Sequence, residues 1–296
     1  MIDMEANGIF DARYLAFLET ITTLRPSLHR YCSRMTGSAM DGEDVVQDAL
    51  FQAYRKLDTF DDQRPLAPWL FRIAHNLCID FLRRREVRHE AEAEAVVSDV
   101  VEPVDPPGRA LGRAVEDLVL NLPPMERACV LLKDVFDHSL EEIAELVGST
   151  VGGVKAALNR GRGKLAVLPE RKQRVDRAKN HLPILALYVE RFNRRDWDGV
   201  RELIAADARL RVADRFAGAF AESPYFSNYE RMATPWKLAV GEVDGEPAIL
   251  AMRPETDATF AIVRLEVVNG FVARIADYTH CPWVLADVSR IVAETY

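Results

Sequence analysis

The spacing of apolar residues changes once along the chain, and this change limits the folds that the chain can adopt. Between residues 13 and 87, and again between residues 111 and 168, apolar residues recur at the three- and four-residue spacing of amphipathic helices. In the last third the apolar runs are short, often β-branched or aromatic, and two of them flank Asn269-Gly270, a strong hairpin signal. The sequence therefore predicts a multi-domain chain: two all-α domains, then an α+β domain with a mostly antiparallel sheet.

An acidic, proline-bearing stretch separates the two helical segments. Residues 90–109 interleave acidic with small residues and end in Pro106-Pro107-Gly108. Such a stretch buries little apolar surface, which is typical of a linker. We therefore predict a first helical domain at 10–89, the linker at 90–109, a second helical domain at 110–170 and the α+β domain at 181–296. We expect the two helical domains to fold separately.

Charge and cysteine content exclude several classes of protein. The chain has 38 Lys and Arg against 46 Asp and Glu, a net charge of -8, so any nucleic-acid surface must be local. Its cysteines, Cys32, Cys78, Cys129 and Cys281, have neither metal-ligand nor disulfide-scaffold spacing, and we expect no metal, no cofactor and a reducing, cytoplasmic environment. Neither a secretory signal nor an apolar run of about 18 residues is present, so secretion and membrane association are disfavoured.

A helix-turn-helix is predicted in the second helical domain. Ser139 and Glu142 can form a capping box, Gly148 ends that helix, and Ser149 or Thr150 can cap the next one. The outer face of the second helix carries long polar side chains that can reach DNA phosphates and base edges: Lys155, Asn159, Arg160, Arg162 and Lys164. These residues alone are equally compatible with an ordinary helical hairpin that has a solvated cationic face.

Two blocks of sequence carry a family resemblance. The first comprises DVVQDALF at 44–51, Phe60, and PLAPWLFRIAHNLCIDFLRRR at 65–85, which resembles region two of bacterial extracytoplasmic-function sigma factors. The second runs from Leu122-Pro123-Pro124 to Lys164-Leu165 and resembles their region four. The two blocks, in this order and with a linker between them, cover roughly the first 170 residues.

The resemblance implies a polymerase-binding face on the first block. Asp44, Gln47, Asp48 and Phe51 share one helical face by their spacing. In the family this face docks on the β′ clamp helices of core RNA polymerase, and the β flap is the second expected polymerase contact. A solvated helix face is the alternative interpretation.

The resemblance also implies promoter DNA as a partner. The loop that contains Phe60 and Arg64 is placed where the family captures a base flipped from the minus-ten element. The following helix presents further candidate DNA contacts, although a hydrogen bond between Asn76 and Asp80 is an alternative: Arg72, Asn76, Asp80, Arg83 and Arg84. In region four the candidates for the minus-thirty-five element are Thr150, Lys155, Asn159, Arg160 and Arg162. Ala156-Ala157 replaces a common Ser-Arg pair, so we expect an unusual or weak preference there.

The last third resembles cone-shaped SnoaL-like domains of the nuclear-transport-factor-two-like superfold, through YVERFNRRDWDGV at 188–200 and GFVARI at 270–275. A candidate ligand pocket is lined by Trp236, Asp277, Tyr278 and His280. We expect this domain to be no enzyme and to regulate a sigma factor in cis, by contacting the two sigma regions and holding them in a compact state. Two alternatives stay open: a catalytic domain that uses Asp277 and His280, and a small-molecule sensor.

Overall fold

The computed structural model of the chain describes residues 4–61, 64–93, 119–166, 182–213 and 215–293. The chain divides into two compact units, Met1–Gln173 and Arg174–Tyr296. Most of the predicted linker, from residue 94 to 109, lies outside the described residues, whereas residues 90–93 still belong to a helix. Among the described helices, none is long and apolar enough to cross a membrane.

Three long helices form the first part of unit one, here called the front bundle: α1 (Met4–Thr36), α2 (Ala39–Arg55) and α3 (Leu66–Ala93). The side chain of Ser38 caps α2 by accepting the Asp41 amide at 3.3 Å. Gly42 lets α2 approach α1 closely, because a Cβ at this position would lie 2.6 Å from the backbone nitrogen of Ser33. A buried ion pair between Arg25 and Glu43 joins the same two helices.

Three shorter helices and a π-helical turn form the second part of unit one, here called the HTH bundle: α4 (Pro124–Val130), the π turn (Leu131–Val135), α5 (Leu140–Val147) and α6 (Val151–Leu165). The predicted capping box is confirmed, since Ser139 and Glu142 bond reciprocally at the start of α5. Gly148 ends α5 in the left-handed conformation, with φ of 66°. The Thr150 side chain caps α6.

The two bundles share one hydrophobic core, which corrects the expectation that they fold separately. Tyr31 of α1 and Phe71 of α3 pack against Phe136, which directly follows the π turn. Hydrophobic spacing identified each helix but carried no information about contacts between residues about a hundred positions apart. The resulting interface joins α1 and α3 to α4 and α5 within unit one.

Unit two is an α+β domain, as predicted. Two helices, α7 (Leu182–Asn193) and α8 (Trp197–Glu202), precede the sheet, and two short helices follow later, α9 (Tyr225–Glu230) and α10 (Pro282–Asp287). The strands are β1 (Ile204–Val212), β2 (Phe216–Ala219), β3 (Lys237–Val243), β4 (Glu246–Met252), β5 (Thr259–Val268), β6 (Phe271–Asp277) and β7 (Ile291–Ala293).

The seven strands form one sheet in the order β2-β1-β6-β5-β4-β3-β7, with β1 and β6 parallel and the other neighbours antiparallel. The predicted hairpin at Asn269-Gly270 is confirmed, because both residues have positive φ, 52° and 79°. Aromatic side chains of α7, α8 and α9 pack on one another and on Trp236. Helices first and then a sheet over an aromatic core agree with the SnoaL-like fold expected for this unit.

Candidate polymerase and nucleic-acid interfaces

The predicted polymerase-binding residues lie along one side of α2. Asp48 is exposed, and the Phe51 side chain is 62% exposed, with the Arg55 guanidinium 5.9 Å from its ring centroid. Asp44 and Gln47 are half-buried. The Gln47 amide donates to Glu43 at 3.0 Å, so part of its hydrogen-bonding capacity is used inside the helix. An exposed phenylalanine beside carboxylates is a surface suited to a protein partner.

The loop before α3 places two aromatic rings together. Phe60 and Trp69 lie with ring centroids 4.5 Å apart at 36°, and both are half-buried. Trp69 packs against the hydrophobic core of unit one and also contacts the loop through Phe60. Arg64 is exposed beside Asp61, at 3.7 Å. Partly exposed aromatic rings with a nearby cation are suited to an unpaired base and its phosphate.

The outer side of α3 carries the remaining minus-ten candidates. Arg72 and Asn76 are exposed. Asp80 accepts from Arg83 at 3.1 Å, and the Arg84 side chain donates to the Asp80 carbonyl at 3.2 Å. Asp80 therefore pairs with a downstream arginine and orients it. The exposed residues of this set are Arg72, Asn76, Arg83 and Arg84.

A buried polar pair lies on the opposite side of α3. The Tyr31 hydroxyl is 2.8 Å from Nδ1 of His75, and both residues are buried. Burial lowers the pKa of His75 to about 4, so the imidazole is neutral at pH 7. Burial also raises the pKa of Tyr31 well above its ordinary value. His75 is thus part of the packing that holds the exposed face of α3 in place.

In α6 the predicted DNA contacts separate into two groups. Lys155 and Asn159 are exposed and lie one turn apart on the outer face. Thr150 is also exposed, and its hydroxyl oxygen accepts the Gly153 amide at 3.0 Å as the helix cap. Lys155 and Asn159 are therefore accessible to a DNA groove. Thr150 can also contact DNA, because its capping hydroxyl still has its own proton to donate.

Arg160 and Arg162 instead make ion pairs with the helix and turn behind α6. Arg160 donates to Glu126 at 3.0 Å, Lys164 donates to the same carboxylate at 2.8 Å, and Arg162 pairs with Asp134. Hydrogen bonding from Lys164, together with Arg160, holds the pKa of Glu126 below its ordinary value. Glu126 could not be predicted as the shared partner from the sequence, because Arg160 and Lys164 are 34 and 38 residues away.

In unit two, the structure brings two of the four candidate pocket residues together. The Asp277 carboxylate accepts hydrogen bonds from the hydroxyls of Tyr225 at 3.0 Å and Tyr229 at 2.6 Å, and from the Thr279 amide at 2.8 Å. The Trp236 indole donates to the Tyr229 carbonyl at 3.1 Å. Burial, and then the charge of Asp277, raise the pKa of both tyrosines well above the ordinary value, so they remain donors.

The other two candidates differ in their exposure. Tyr278 is buried and its amide donates to the Ile262 carbonyl at 3.0 Å, whereas His280 is exposed. The structure thus gives Asp277 tyrosine partners, whereas the catalytic alternative required Asp277 to act with His280. Sequence reasoning missed Tyr225 and Tyr229, which belong to a separate helix. Within the described ranges, no group of three or more His, Cys, Asp or Glu could hold a metal ion.

These features define a helical nucleic-acid-binding module followed by an α+β unit. Residues 20–88 match the Sigma-70 region 2 family and residues 112–165 match the Sigma-70 region 4 family. The chain is 33% identical to the ECF RNA polymerase sigma factor SigW of Bacillus subtilis over 162 residues, which cover 51% of this chain and 87% of SigW. The chain belongs to the family of ECF RNA polymerase sigma factors.

Other relatives match a larger share of the chain. The ECF RNA polymerase sigma factor SigG of Mycobacterium tuberculosis is 30% identical over 213 residues, which cover 62% of this chain and 58% of SigG. The crystal structure of the extracytoplasmic function sigma factor SigJ of the same organism is 19% identical and covers 90% of this chain and 97% of that chain, with a TM-score of 0.36.

Proposed function

We propose that the chain directs core RNA polymerase to a set of promoters and helps to open them, and that it works in the cytoplasm as an alternative sigma factor. The observation that carries this proposal is the combination, in one unit, of an exposed face on α2, an exposed polar face on α3 and a helix-turn-helix. A repressor with a helix-turn-helix would need only the last of these.

Polymerase docking is assigned to the α2 face. Asp44 and Asp48 supply negative charge beside the exposed ring of Phe51, and this combination suits a basic and apolar groove between two partner helices. Aromatic residues at the centre of a protein interface contribute a large share of the binding free energy. Phe51 is therefore the residue that we expect to dominate binding to the β′ clamp helices.

Promoter recognition is assigned to two surfaces. Phe60, Trp69 and Arg64 would receive a flipped minus-ten base, while Arg72 and Asn76 contact the phosphates and base edges beside it. Arg83 and Arg84 extend the cationic face of α3.

Lys155 and Asn159 would read the minus-thirty-five element in the major groove. The neighbouring Ala156 has no side-chain hydrogen-bond donor to contribute. Arg160 and Arg162 are assigned a structural role first, because each already has a carboxylate partner. The β flap remains the expected polymerase contact of this region.

Unit two is proposed to regulate the sigma activity and to catalyse nothing itself. Each oxygen of the Asp277 carboxylate already accepts hydrogen bonds from neighbouring side chains, and His280 is exposed. An acid–base pair of these two residues therefore receives no support from the geometry. Small-molecule sensing is the second candidate function, favoured by the Arg195 guanidinium 3.6 Å above the ring centroid of Trp236, a cation on an aromatic surface.

Binding to core polymerase, followed by sequencing of the DNA that the complex retains, tests the proposal. The full chain should co-purify with core polymerase and enrich a shared promoter sequence with two elements. Phe51→Ala should lose the polymerase, whereas the exposed control Glu145→Ala on α5 should retain it. Retention of polymerase by Phe51→Ala, or DNA enrichment without any shared sequence, would overturn the assignment.

A further inference from the structure

A buried carboxylate lies behind the second helix of the helix-turn-helix. The side chain of Glu126 on α4 is only 7% exposed, and it accepts hydrogen bonds from Arg160 at 3.0 Å and Lys164 at 2.8 Å. Each cation bonds to a different carboxylate oxygen. A buried charge is costly unless it is paired, so both cations are held near Glu126 in the folded chain. The two side chains are therefore ordered before any ligand arrives.

These two cations keep most of their hydrogen-bond donors. Arg160 bonds to Glu126 through Nε, and its terminal amino groups make no further hydrogen bond among the residues that the structure describes. The ammonium of Lys164 gives one proton to Glu126 and keeps the others. Both side chains are exposed, and charge-assisted hydrogen bonds to phosphate are among the strong ones. The pair therefore presents a preformed site for anionic oxygens.

Close packing of α4 on α6 places the carboxylate within reach of both cations. A Cβ at position 161 would lie 2.9 Å from Cγ2 of Val130 and 3.5 Å from Cβ of Glu126. The helices approach this closely because Gly161 has no side chain. Glu126 can then bond to one cation that precedes Gly161 in the sequence and to one that follows it.

Arg162 is held in a similar way on the other flank of α6. Its Nε donates to Asp134 in the π turn at 3.1 Å, and Nη2 donates to the other carboxylate oxygen, so the pair is bidentate. Hydrogen bonding to Asp134 raises the pKa of Arg162 above its ordinary value. Successive helical residues are rotated by about 100°, so Arg162 lies about 160° around α6 from both Arg160 and Lys164. The ordered cations thus form two groups on opposite flanks of the helix.

The two flanks match the two sides of a DNA major groove. The groove is about 12 Å wide and admits an α-helix, and a phosphate backbone borders it on each side. Lys155 and Asn159 lie on the outer arc between the flanks, so the candidates for base contacts stand between the candidates for phosphate contacts. Side chains that are ordered beforehand lose less conformational entropy on binding. Ordering of the cations by the carboxylates therefore favours contact with both backbones.

We propose that Glu126 and Asp134 are positioning residues, which hold the two cation groups for contact with the phosphates of the two DNA strands beside the minus-thirty-five bases. Glu126 presents Arg160 and Lys164 to one strand, and Asp134 presents Arg162 to the other. The choice of DNA element rests on the proposed function, whereas the ordering of the cations does not. A carboxylate that only added negative charge near DNA would weaken binding, so its removal has opposite effects under the two interpretations.

The salt dependence of DNA binding by the full chain tests the role of Glu126. Fluorescence anisotropy of a labelled mixed-sequence duplex gives the dissociation constant at stepped potassium chloride concentrations. Glu126→Gln should weaken binding at least about threefold and lower the slope of log affinity against log salt by about one to two, because phosphate contacts are lost. A purely structural loss would reduce the amount of binding-competent chain and leave the slope unchanged.

A matched control removes the same charge elsewhere in the HTH bundle. Glu145→Gln, at an exposed position on α5, should bind DNA as tightly as the parent or more tightly, with an unchanged slope. Tighter binding by Glu126→Gln, an unchanged slope for this variant, or no DNA binding by the parent would overturn the proposal.

Two further measurements keep the test decisive. If Glu126→Gln lacks the helicity of the parent by circular dichroism, Asp134→Asn decides by the same criterion, with a slope lower by about one. In a chain that already carries Arg160→Ala and Lys164→Ala, Glu126→Gln should change the slope no further, and an equal further change would contradict positioning. A chain with the expected slopes that fails to bind core polymerase would overturn the proposed function and leave the positioning role standing.

Discussion

The hydroxyl of Tyr31 and Nδ1 of His75 lie 2.8 Å apart inside the front bundle, and this pair connects the packing of α3 to the interface with the HTH bundle. The ring of Tyr31 packs on Phe136 at the same time. A neutral imidazole that carries its proton on Nε2 accepts the tyrosine hydroxyl, whereas a protonated one has no acceptor to offer. The state of one buried histidine therefore affects a residue of the interface between the bundles.

The first prediction concerns pH. The pKa of His75 is about 4 in the folded chain and about 6.5 in the unfolded chain, so the unfolded state binds more protons between these values. This contribution to stability is complete above about pH 6.5 and is lost as pH falls toward 4, with about 2 kcal/mol lost at pH 5. Calorimetric unfolding of parent and His75→Gln at pH 7 and pH 5 measures it. A loss at pH 5 that is equally large in both would contradict the assignment.

The second prediction concerns the carboxylate behind α6. Glu126→Ala removes the shared partner of Arg160 and Lys164, and we expect a loss of about 1–2 kcal/mol of stability, limited because both cations are partly exposed. Glu141→Ala, at an exposed position on α5, is the matched control and should change stability by less than about 0.5 kcal/mol. Equal effects of the two variants in thermal unfolding would show that the shared carboxylate has no special role.

The third prediction concerns affinity for polymerase. Loss of the Phe51 ring should weaken binding of core polymerase about tenfold or more, because buried aromatic anchors contribute more than about 1.4 kcal/mol. Titration with fluorescently labelled core enzyme measures the dissociation constant. The conservative Phe51→Tyr should retain most of the affinity. An unchanged constant for Phe51→Ala would place the docking face elsewhere.

The fourth prediction separates a structural from a catalytic role for Asp277. Asp277→Ala leaves the buried hydroxyls of Tyr225 and Tyr229 without their acceptor and should cost unit two about 2–4 kcal/mol. Asp277→Asn keeps an acceptor oxygen and should cost less. His280→Ala should have little effect on stability, since His280 is exposed. If His280→Ala and Asp277→Asn both abolish turnover of a substrate while stability is retained, the non-catalytic assignment is wrong.

Features that depend only on neighbouring residues could be predicted from the sequence. The capping box at Ser139 and the left-handed Gly148 follow from side-chain chemistry within one turn, and the structure confirms both. The tight hairpin likewise depends on only two neighbouring residues, Asn269 and Gly270. Helical spacing likewise placed Arg72 and Asn76 on one face of α3, where both are exposed.

Features that depend on distant residues could not be read in the same way. Tyr225 reaches Asp277 from 52 positions away, and Arg127 bonds to a carbonyl 92 positions away. Neither contact produces a periodic pattern in the sequence, because each depends on how separate helices and strands pack. The π turn is a further case, since it inserts an irregularity into an otherwise helical pattern and turns Phe136 toward another bundle. The shared core of the two bundles therefore became visible only in the structure.

Transcription with purified components tests the central claim most directly. Core polymerase, the full chain and fragments of genomic DNA should yield discrete transcripts that depend on the chain, and Phe51→Ala together with Arg72→Ala should abolish them. The double variant must retain the helicity of the parent. Transcripts that are equally strong without the chain, or that survive the double variant unchanged, would contradict the account.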